Sequence, residues 1–444
     1  MRSIPLLLLA AAVLVPPASL PAADAPHVLL YEALQFENIG DQGRAVGAVR
    51  LIYRHLPDAT VTLWPIRLHQ VREQQMLQRA FPKLRIAHGE LKPTGEPSTA
   101  ELAEAWRAAD ICVFATRQKA QSEAWAKTGK PYGYISAQFD PVSLYTPGSA
   151  VGTLDQLRAS IVALPPDHLD VAFKPPKARA AYEGASFIFP RDSLSLQYLR
   201  DQKLRTPLLA LGTDTTFGIN VRDEPRAERW LRRVGAEDGR FICVVPCLRY
   251  DPNYRALNLP REESDYEIDR INAAHAEKDH APLRDLVTLC VRESGLKVIV
   301  CPEAAFQMAF AKEQLLDPLP ADVKPNVIWR DTFWLADEAC SVYARAAAVV
   351  SMECHSPILA ISQGTPAFYV RIPSMTVKGQ MFHDLSLCDW VFESGETTGP
   401  QLWTTLRPLL DDRSLAQARI RAAMTQAETI QHRMVQAIAD AVEN

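Results

Sequence analysis

Segment 349–370 constrains the fold more than any other part of the chain. Its sequence, VVSMECHSPILAISQGTPAFYV, reads as an apolar strand, a short helix and a second apolar strand. Ser356 is predicted as the N-cap of the helix, Pro357 takes its first position and Gly364 follows its end. His355 is therefore expected at the carboxyl end of a strand, which is the edge where open parallel sheets bind ligands.

The same alternation of strands and helices runs along most of the chain. Apolar, β-branched runs alternate with stretches of helical periodicity, as in parallel sheets built from strand–helix–strand units. The predicted strands are 27–34, 60–66, 109–116, 131–139 and 185–190, followed by 240–248, 296–304, 326–330, 348–352 and 366–370. The predicted fold class is α/β, with two Rossmann-like, doubly wound domains that face each other across a cleft.

The domain boundary is predicted in the polar stretch 213–228. The predicted segments are a signal peptide (1–25), an N-terminal Rossmann-like domain (26–213), a C-terminal Rossmann-like domain (214–398) and a C-terminal amphipathic helix that packs across both (399–444). The polar segment 249–280 interrupts the second domain. It is either a lid that contacts substrate or a solvated insertion with one helix.

The N-terminus has the shape of a secretory signal peptide. Arg2 precedes an apolar core, and small residues follow that core. The apolar run is shorter than the roughly 20 residues of a spanning helix, and no other segment approaches that length. We expect an exported protein, periplasmic or extracellular, with no stable membrane span after signal removal; the alternative is an uncleaved anchor.

Charge and cysteine spacing exclude some classes of protein. A net charge of −4, with no long basic run, argues against a nucleic-acid partner. The eight cysteines show no Cys-x-x-Cys pair and no zinc-site spacing, so no metal site is predicted. Cys112, Cys243 and Cys301 lie inside strand-like runs, where thiols usually pack as small hydrophobic groups. A single disulfide between Cys247 and Cys301 remains an alternative.

Polar residues follow the predicted strands in both halves. His355 is the acid–base candidate of this set, because an imidazole titrates near neutral pH. The residues predicted to act or bind beside it are Asn38, Gly40, Asp41, Arg117, Arg191, Arg249, Glu303, Glu353 and Lys378. Their cations suit an anionic ligand, and their polar groups suit a sugar-like partner. For Asn38 and Asp41 an equal alternative is a role in the turn and the helix cap.

At these residues the chain resembles the polysaccharide pyruvyltransferase family. The matching motifs are Asn-x-Gly-Asp (Asn38, Gly40, Asp41), Arg-Asp-x-x-Ser (Arg191, Asp192, Ser195), a Ser…His turn with a helix and Gly-x-Pro (Ser351, His355, Gly364, Pro366), and a lysine segment (Lys378, Gly379, Leu387). The resemblance implies a GT-B-like fold. It also implies transfer of a pyruvyl ketal from phosphoenolpyruvate, as co-substrate, to a saccharide or polysaccharide acceptor, with no other cofactor.

The resemblance also implies roles for individual residues. His355 would protonate the enol methylene of the donor, while Arg191 and Lys378 would hold its phosphate and carboxylate. Glu353 stands where the family has an arginine, and TRQKA, with Arg117, stands where it has a glycine-rich turn. The alternative is an exported protein on the same scaffold that binds or processes glycans without phosphoenolpyruvate, because Glu353 and His355 could bind sugar hydroxyls or act in hydrolysis.

Overall fold

Two parallel sheets form the framework of the protein. The computed structural model describes residues 25–35, 37–67, 71–117, 119–139, 141, 152–165, 167–169, 177–256 and 259–444. The strands are β1 (His27–Gln35), β2 (Thr60–Arg67), β3 (Arg85–Ile86), β4 (Ile111–Phe114), β5 (Tyr132–Ala137), β6 (Phe187–Pro190), β7 (Leu208–Leu209), β8 (Phe241–Val245), β9 (Lys297–Val300), β10 (Val327–Trp329), β11 (Ala348–Ser351), β12 (Ala367–Arg371) and β13 (Val391–Glu393). The first sheet has the order β3-β2-β1-β4-β5-β6-β7 and the second β10-β9-β8-β11-β12-β13.

Helices connect the strands and cover the sheets. The described α-helices are α1 (Ile39–His55), α2 (Val71–Ala80), α3 (Ala100–Ala108), α4 (Lys119–Ala126), α5 (Leu154–Val162), α6 (Lys177–Glu183), α7 (Ser193–Asp201), α8 (Glu224–Val234), α9 (Asn253–Ala256), α10 (Glu263–Ser294), α11 (Gln307–Ala311), α12 (Ala336–Arg345), α13 (His355–Ser362), α14 (Gln380–Asp384), α15 (Gly399–Asp411) and α16 (Arg413–Glu443). Central strands such as β8 are buried along their whole length, which explains their continuous apolar sequences.

The predicted fold class is confirmed. Each of the ten predicted strands corresponds to an observed strand, and the strand pairs within both sheets are parallel. In each sheet the strand order reverses once, between β1 and β4 and between β8 and β11. These reversals are the switch points at which doubly wound sheets open a crevice for ligands.

The segment 249–280 differs from the lid interpretation. Helix α10 begins at Glu263 and continues through Pro282 to Ser294, so most of this segment belongs to one long helix. Residues 263–280 thus match the alternative of an inserted helix, whereas substrate contact by residues 249–262 stays a prediction. The first half of α10 is polar, so the sequence does not show that the helix extends over it. The buried residues of α10 follow a regular helical spacing only in its second half, which packs on the sheet.

The last helix spans both halves of the molecule. Near its start, Arg413 of α16 donates to the Gly239 carbonyl of the C-terminal half. Further along, Gln431 donates to Thr213 and Glu428 pairs with Arg54, both in the N-terminal half. The predicted domain limits themselves stay predictions.

Two further sequence predictions concern the N-terminal segment and the cysteines. The predicted signal peptide lies almost wholly outside the described residues, so export stays a prediction. Among the helices described, none is long and apolar enough to cross a membrane. All eight cysteines are free, so the alternative of a Cys247–Cys301 bridge is wrong.

Candidate functional site

The two halves meet at the carboxyl ends of their strands. Glu303 follows β9 and His355 follows β11, at the switch point of the second sheet. The loop after β1 reaches this point from the N-terminal half. There the Ile39 amide donates to the Glu303 carbonyl at 2.9 Å, and the Ala305 amide donates to the Glu37 carbonyl at 2.7 Å. Backbone hydrogen bonds therefore fix the two edges against each other.

The imidazole of His355 lies between two buried carboxylates. Its Nδ1 is 3.2 Å from an oxygen of Glu303, and its Nε2 is 3.7 Å from an oxygen of Asp214. Both carboxylates are fully buried. Charged partners on both sides favour the imidazolium form of the ring.

Glu303 also replaces the predicted helix cap. Helix α13 begins at His355, one residue before the predicted cap Ser356, and Cys354 provides no side-chain cap. The Ser356 amide and hydroxyl instead donate to the second oxygen of Glu303, at 2.6 and 2.7 Å. The prediction of Ser356 as N-cap is therefore wrong, because a carboxylate from another strand end accepts the first amides of the helix.

Gly40 packs directly on the His355 ring. A Cβ atom at this position would lie 2.3 Å from the Nδ1 atom of His355, which is far inside van der Waals contact. Helix α1 must therefore carry a glycine here for the halves to close over the imidazole. The same helix needs Gly47, where a Cβ would lie 1.9 Å from the Thr215 carbonyl oxygen.

Asp214 joins His355 to Arg191. The oxygen of Asp214 that faces the imidazole also accepts a hydrogen bond from Arg191 at 3.0 Å. Arg191 donates as well to Gln138, whose amide donates to the Thr376 hydroxyl at 3.2 Å. We call Arg191, Asp214, Glu303 and His355 the inner cluster.

The charges of the inner cluster set its protonation. Burial alone would raise the pKa of Asp214, but His355, Arg191 and Arg44 together hold that pKa well below its usual value of 3.8. Burial alone would lower the pKa of His355, whereas Cys354, Asp214 and Glu303 raise it well above 6.5. We infer a cationic imidazole at neutral pH.

Two buried donors of the inner cluster make no hydrogen bond to any described residue, although one of them, His355 Nε2, faces the Asp214 carboxylate at 3.7 Å. Within the described part of the chain, neither His355 Nε2 nor Arg191 Nε has a hydrogen-bond partner. Both side chains are about nine-tenths buried or more. Buried donors are seldom left unpaired by the fold alone, because each such group costs about 1–3 kcal/mol.

Backbone strain accompanies this geometry. Thr376 has φ 44° and ψ −126°, and Ser136 has φ 56°. Thr376 holds Gln138, and the Ser136 hydroxyl accepts from the amide of Thr215, next to Asp214. Conformations of this kind cost of order 1–3 kcal/mol and cluster at functional sites.

A second group of charges lies next to the inner cluster. We call Asp41, Asp251, Glu353 and Lys378 the outer cluster. Asp251 is exposed, Asp41 and Lys378 are half-buried and Glu353 is buried. The Asp251 carboxylate, the Glu353 carboxylate and the Cys247 sulfur each offer an atom within 4.8 Å of the others.

Glu353 has an environment that favours its protonated form. It accepts hydrogen bonds from the Gln307 amide at 2.6 Å and from the Cys247 thiol at 3.0 Å. Burial and the nearby carboxylates of Glu303 and Asp251 raise its pKa to about 8, although Lys378 opposes the shift. The carboxyl group that replaces the family's arginine is therefore mostly neutral at pH 7.

The structure does not bring every predicted residue to this site. The Nε and Nη2 atoms of Arg249 donate to the two carboxylate oxygens of Asp279 of α10, at 2.7 and 2.9 Å. Arg117 lies over the Phe139 ring, 6.0 Å from its centre. The Asn38 side chain caps α1 by accepting from the Gly40 and Asp41 amides at 2.7 and 3.3 Å. The alternative of a cap thus describes the observed role of Asn38.

Sequence reasoning missed Asp214 and Asp251. Asp214 stands in the stretch interpreted as a linker, yet the pattern of an apolar run followed by Thr-Asp-Thr-Thr is a strand end with a cap signal. Asp251 follows the predicted strand 240–248 by three residues. Both could have been found by the rule that identified Glu303, namely that a polar residue shortly after a predicted strand is a candidate site residue.

One known protein family matches part of the chain, residues 172–373. This range matches the sequence model of the polysaccharide pyruvyl transferase family. The resemblance to that family is confirmed. The matched range contains Arg191, Asp214, Asp251, Glu303 and His355, and it supports a role in polysaccharide modification. No curated protein matches the chain.

Solved structures agree on the fold over nearly the whole chain. A putative UDP-N-acetylglucosamine 2-epimerase from Listeria monocytogenes superposes with a TM-score of 0.53 at 13% identity, covering 94% of this chain and 96% of its own. MnaA of S. aureus, solved with UDP, gives 0.55 at 9% identity, covering 93% and 96%. UDP-GlcNAc 2-epimerase from Neisseria meningitidis gives 0.53 at 10%, covering 93% and 100%. At such identities the likeness shows the fold alone, and that fold is GT-B-like.

Proposed function

We propose that the protein transfers a pyruvyl group from a phosphoenolpyruvate-type donor to a saccharide and forms a ketal. The observation that carries the proposal is the inner cluster, in which a buried cationic imidazole and a guanidinium share Asp214 and the guanidinium keeps an unpaired Nε donor. The family match over residues 172–373 supports the reaction class.

His355 is the proposed proton donor to the methylene carbon. Protonation there turns the enol phosphate into a cation-like carbon that a hydroxyl attacks, and a group that gives up a proton at the right point contributes about 10²–10⁴-fold to the rate. Nε2 is the proposed donor atom, because Nδ1 is hydrogen-bonded to Glu303 whereas Nε2 faces Asp214 at the longer distance of 3.7 Å. Its access to substrate requires the contact between Gly40 and the ring to open.

Arg191 and Lys378 are the proposed partners of the donor's phosphate and carboxylate. A trianionic donor needs cations and an absence of facing negative charge. The raised pKa of Glu353 removes one negative charge at pH 7, because a neutral carboxyl does not repel the donor. Asn38, Gly40 and Asp41 line the same edge of the N-terminal half, as proposed binding residues.

The test uses phosphoenolpyruvate with methyl glucopyranoside, galactopyranoside and mannopyranoside, which carry free 4,6-diols. We expect phosphate release and a new ketal methyl signal by NMR. His355→Gln should lower the rate at least 100-fold. Because it also removes the cation between two buried carboxylates, its melting temperature should fall, and the rate is therefore measured at a temperature at which circular dichroism shows the variant folded. The matched control is His432→Gln, an exposed histidine that pairs with His55 on the surface. Absence of phosphate release from the wild-type protein would exclude the proposal.

A second candidate is an exported protein that binds or processes glycans without a phosphorylated donor. The carboxyl groups of the outer cluster favour it, since Asp41, Asp251 and Glu353 surround Lys378 and suit sugar hydroxyls. The proposed leader favours it too, because phosphoenolpyruvate is cytoplasmic. Binding on a glycan array without phosphoenolpyruvate, together with no phosphate release, would select this candidate.

A further inference from the structure

We propose that Asp251 is a catalytic residue, whose carboxylate accepts the proton of the saccharide hydroxyl as that hydroxyl attacks the donor carbon. The inference deepens the proposed function and rests on it. It adds to the proton donor His355 a base for the acceptor.

The position of Asp251 is the first argument. It lies after β8, and His355 lies after β11, so the two residues flank the switch point of the second sheet. Unlike Glu353 and the inner cluster, Asp251 is exposed to solvent. Solvent therefore reaches this residue, which is a condition for its contact with a saccharide.

The loop that carries Asp251 is firmly held. Arg249 forms its bidentate pair with Asp279, and the Tyr250 backbone exchanges two hydrogen bonds with the Asn272 side chain, at 3.1 and 2.8 Å. Arg249 is thus a positioning residue for this loop, rather than the substrate contact predicted from the sequence. A base must be fixed within hydrogen-bond reach of the proton that it takes, and this anchoring provides that precision.

The surroundings of Asp251 tune its basicity. The charged groups that face it are Lys378 from the turn after β12, Asp41 from α1, Glu303 after β9 and Glu353 after β11. Partial desolvation raises the pKa of Asp251; Lys378 lowers it, whereas Asp41 and Glu303 raise it further. A carboxylate with a raised pKa is a better proton acceptor near neutral pH.

The reaction balances with these two groups. His355 gives its proton to the methylene carbon, the first hydroxyl oxygen bonds to the adjacent carbon, and Asp251 takes that hydroxyl's proton. The carbon–oxygen bond to phosphate then breaks and the second hydroxyl bonds to the same carbon. Its proton leaves with the phosphate as hydrogen phosphate, while the proton on Asp251 returns to His355 through solvent. Charge and hydrogen are conserved, and no oxidant is needed.

The experiment compares Asp251→Asn with wild type in the phosphoenolpyruvate and methyl hexopyranoside assay. We expect kcat to fall about 100-fold or more, with the KM for phosphoenolpyruvate changed less than about threefold. The wild-type kcat/KM should rise with pH through the titration of Asp251, and this limb should vanish in the variant. Asp251→Glu should restore part of the rate.

The matched control is Asp269→Asn, which changes a carboxylate of α10 that binds Tyr254 and Arg261. Its rate should equal that of wild type. If Asp251→Asn keeps the wild-type rate and pH profile, the base is another group and only this inference fails. If wild type releases no phosphate from phosphoenolpyruvate, the proposed function fails and this inference falls with it.

Discussion

The inner and outer clusters are built from similar residues but in opposite ways. In the inner cluster each carboxylate has a cationic partner and is buried, as Asp214 is between Arg191 and His355. In the outer cluster three carboxyl groups share the vicinity of one lysine, and solvent reaches Asp251.

The difference separates two tasks of one site. A paired and buried cluster keeps a fixed protonation state and a fixed geometry, because removal of either partner leaves an uncompensated charge. A crowded cluster of like charges raises the pKa values of its carboxyl groups, as it does for Asp41, Asp251 and Glu353. The inner cluster therefore suits the orientation of a donor, and the outer cluster suits proton movement.

The largest expected effect comes from Asp214→Ala. The substitution leaves the buried Arg191 guanidinium without its carboxylate, which costs about 3–5 kcal/mol in the free energy of unfolding. Denaturant unfolding at pH 7 measures the loss. Asp251→Ala, in the exposed position, should cost less than about 0.5 kcal/mol. Equal losses for the two variants would contradict the distinction between the clusters.

A smaller loss is expected from Gly40→Ala. The added Cβ would meet His355 Nδ1 at 2.3 Å, so the helix or the ring must shift, at a cost of about 1–3 kcal/mol. Activity should fall as well, because the imidazole moves. Gly395→Ala is the control, since its Cβ would meet no atom within 4 Å. Thermal unfolding measures the stability of the two variants and the phosphate assay measures their activity. A Gly40→Ala variant with wild-type values would argue against the close packing of α1 on the His355 ring.

The smallest effect depends on pH and concerns Glu353→Gln. The folded-state pKa of Glu353 is raised from 4.5 to about 8, so the stability that its proton provides is complete below pH 4.5 and is lost as pH rises toward 8. A glutamine at this position does not ionise, so the variant does not lose stability over this pH range. The variant should therefore gain about 1 kcal/mol on wild type between pH 6 and pH 7. Parallel pH profiles of unfolding would show that Glu353 is ionised throughout.

The strands of both sheets could be predicted because buried parallel strands are continuously apolar. The edge strands β3, β7 and β13 were missed, since two or three residues show no periodicity. The start of α10 was missed because residues 263–280 are mostly polar. Tertiary packing overrides both local signals.

For the site, the sequence indicates which residues follow strands but not which of them meet. His355, Arg191 and Glu303 were predicted at strand ends. In the structure His355 contacts Glu303 directly and meets Arg191 through Asp214, across sequence separations of 23 to 141 residues. Arg249 carries the same signal, yet Asp279 on α10 takes up its guanidinium. The partner of a charged side chain depends on the packing of distant elements, which no local pattern encodes.

The path of α16 has a mechanical consequence. The chain passes between the halves once in the stretch before α8 and a second time along α16, which binds Gly239 at one end and Thr213 farther on. Two connections of this kind allow one half to rotate about the axis that joins them. They keep the halves from separating as two domains on a single linker can. A single protease cut in the stretch before α8 therefore leaves the halves held by α16, in addition to the hydrogen bonds at the strand ends.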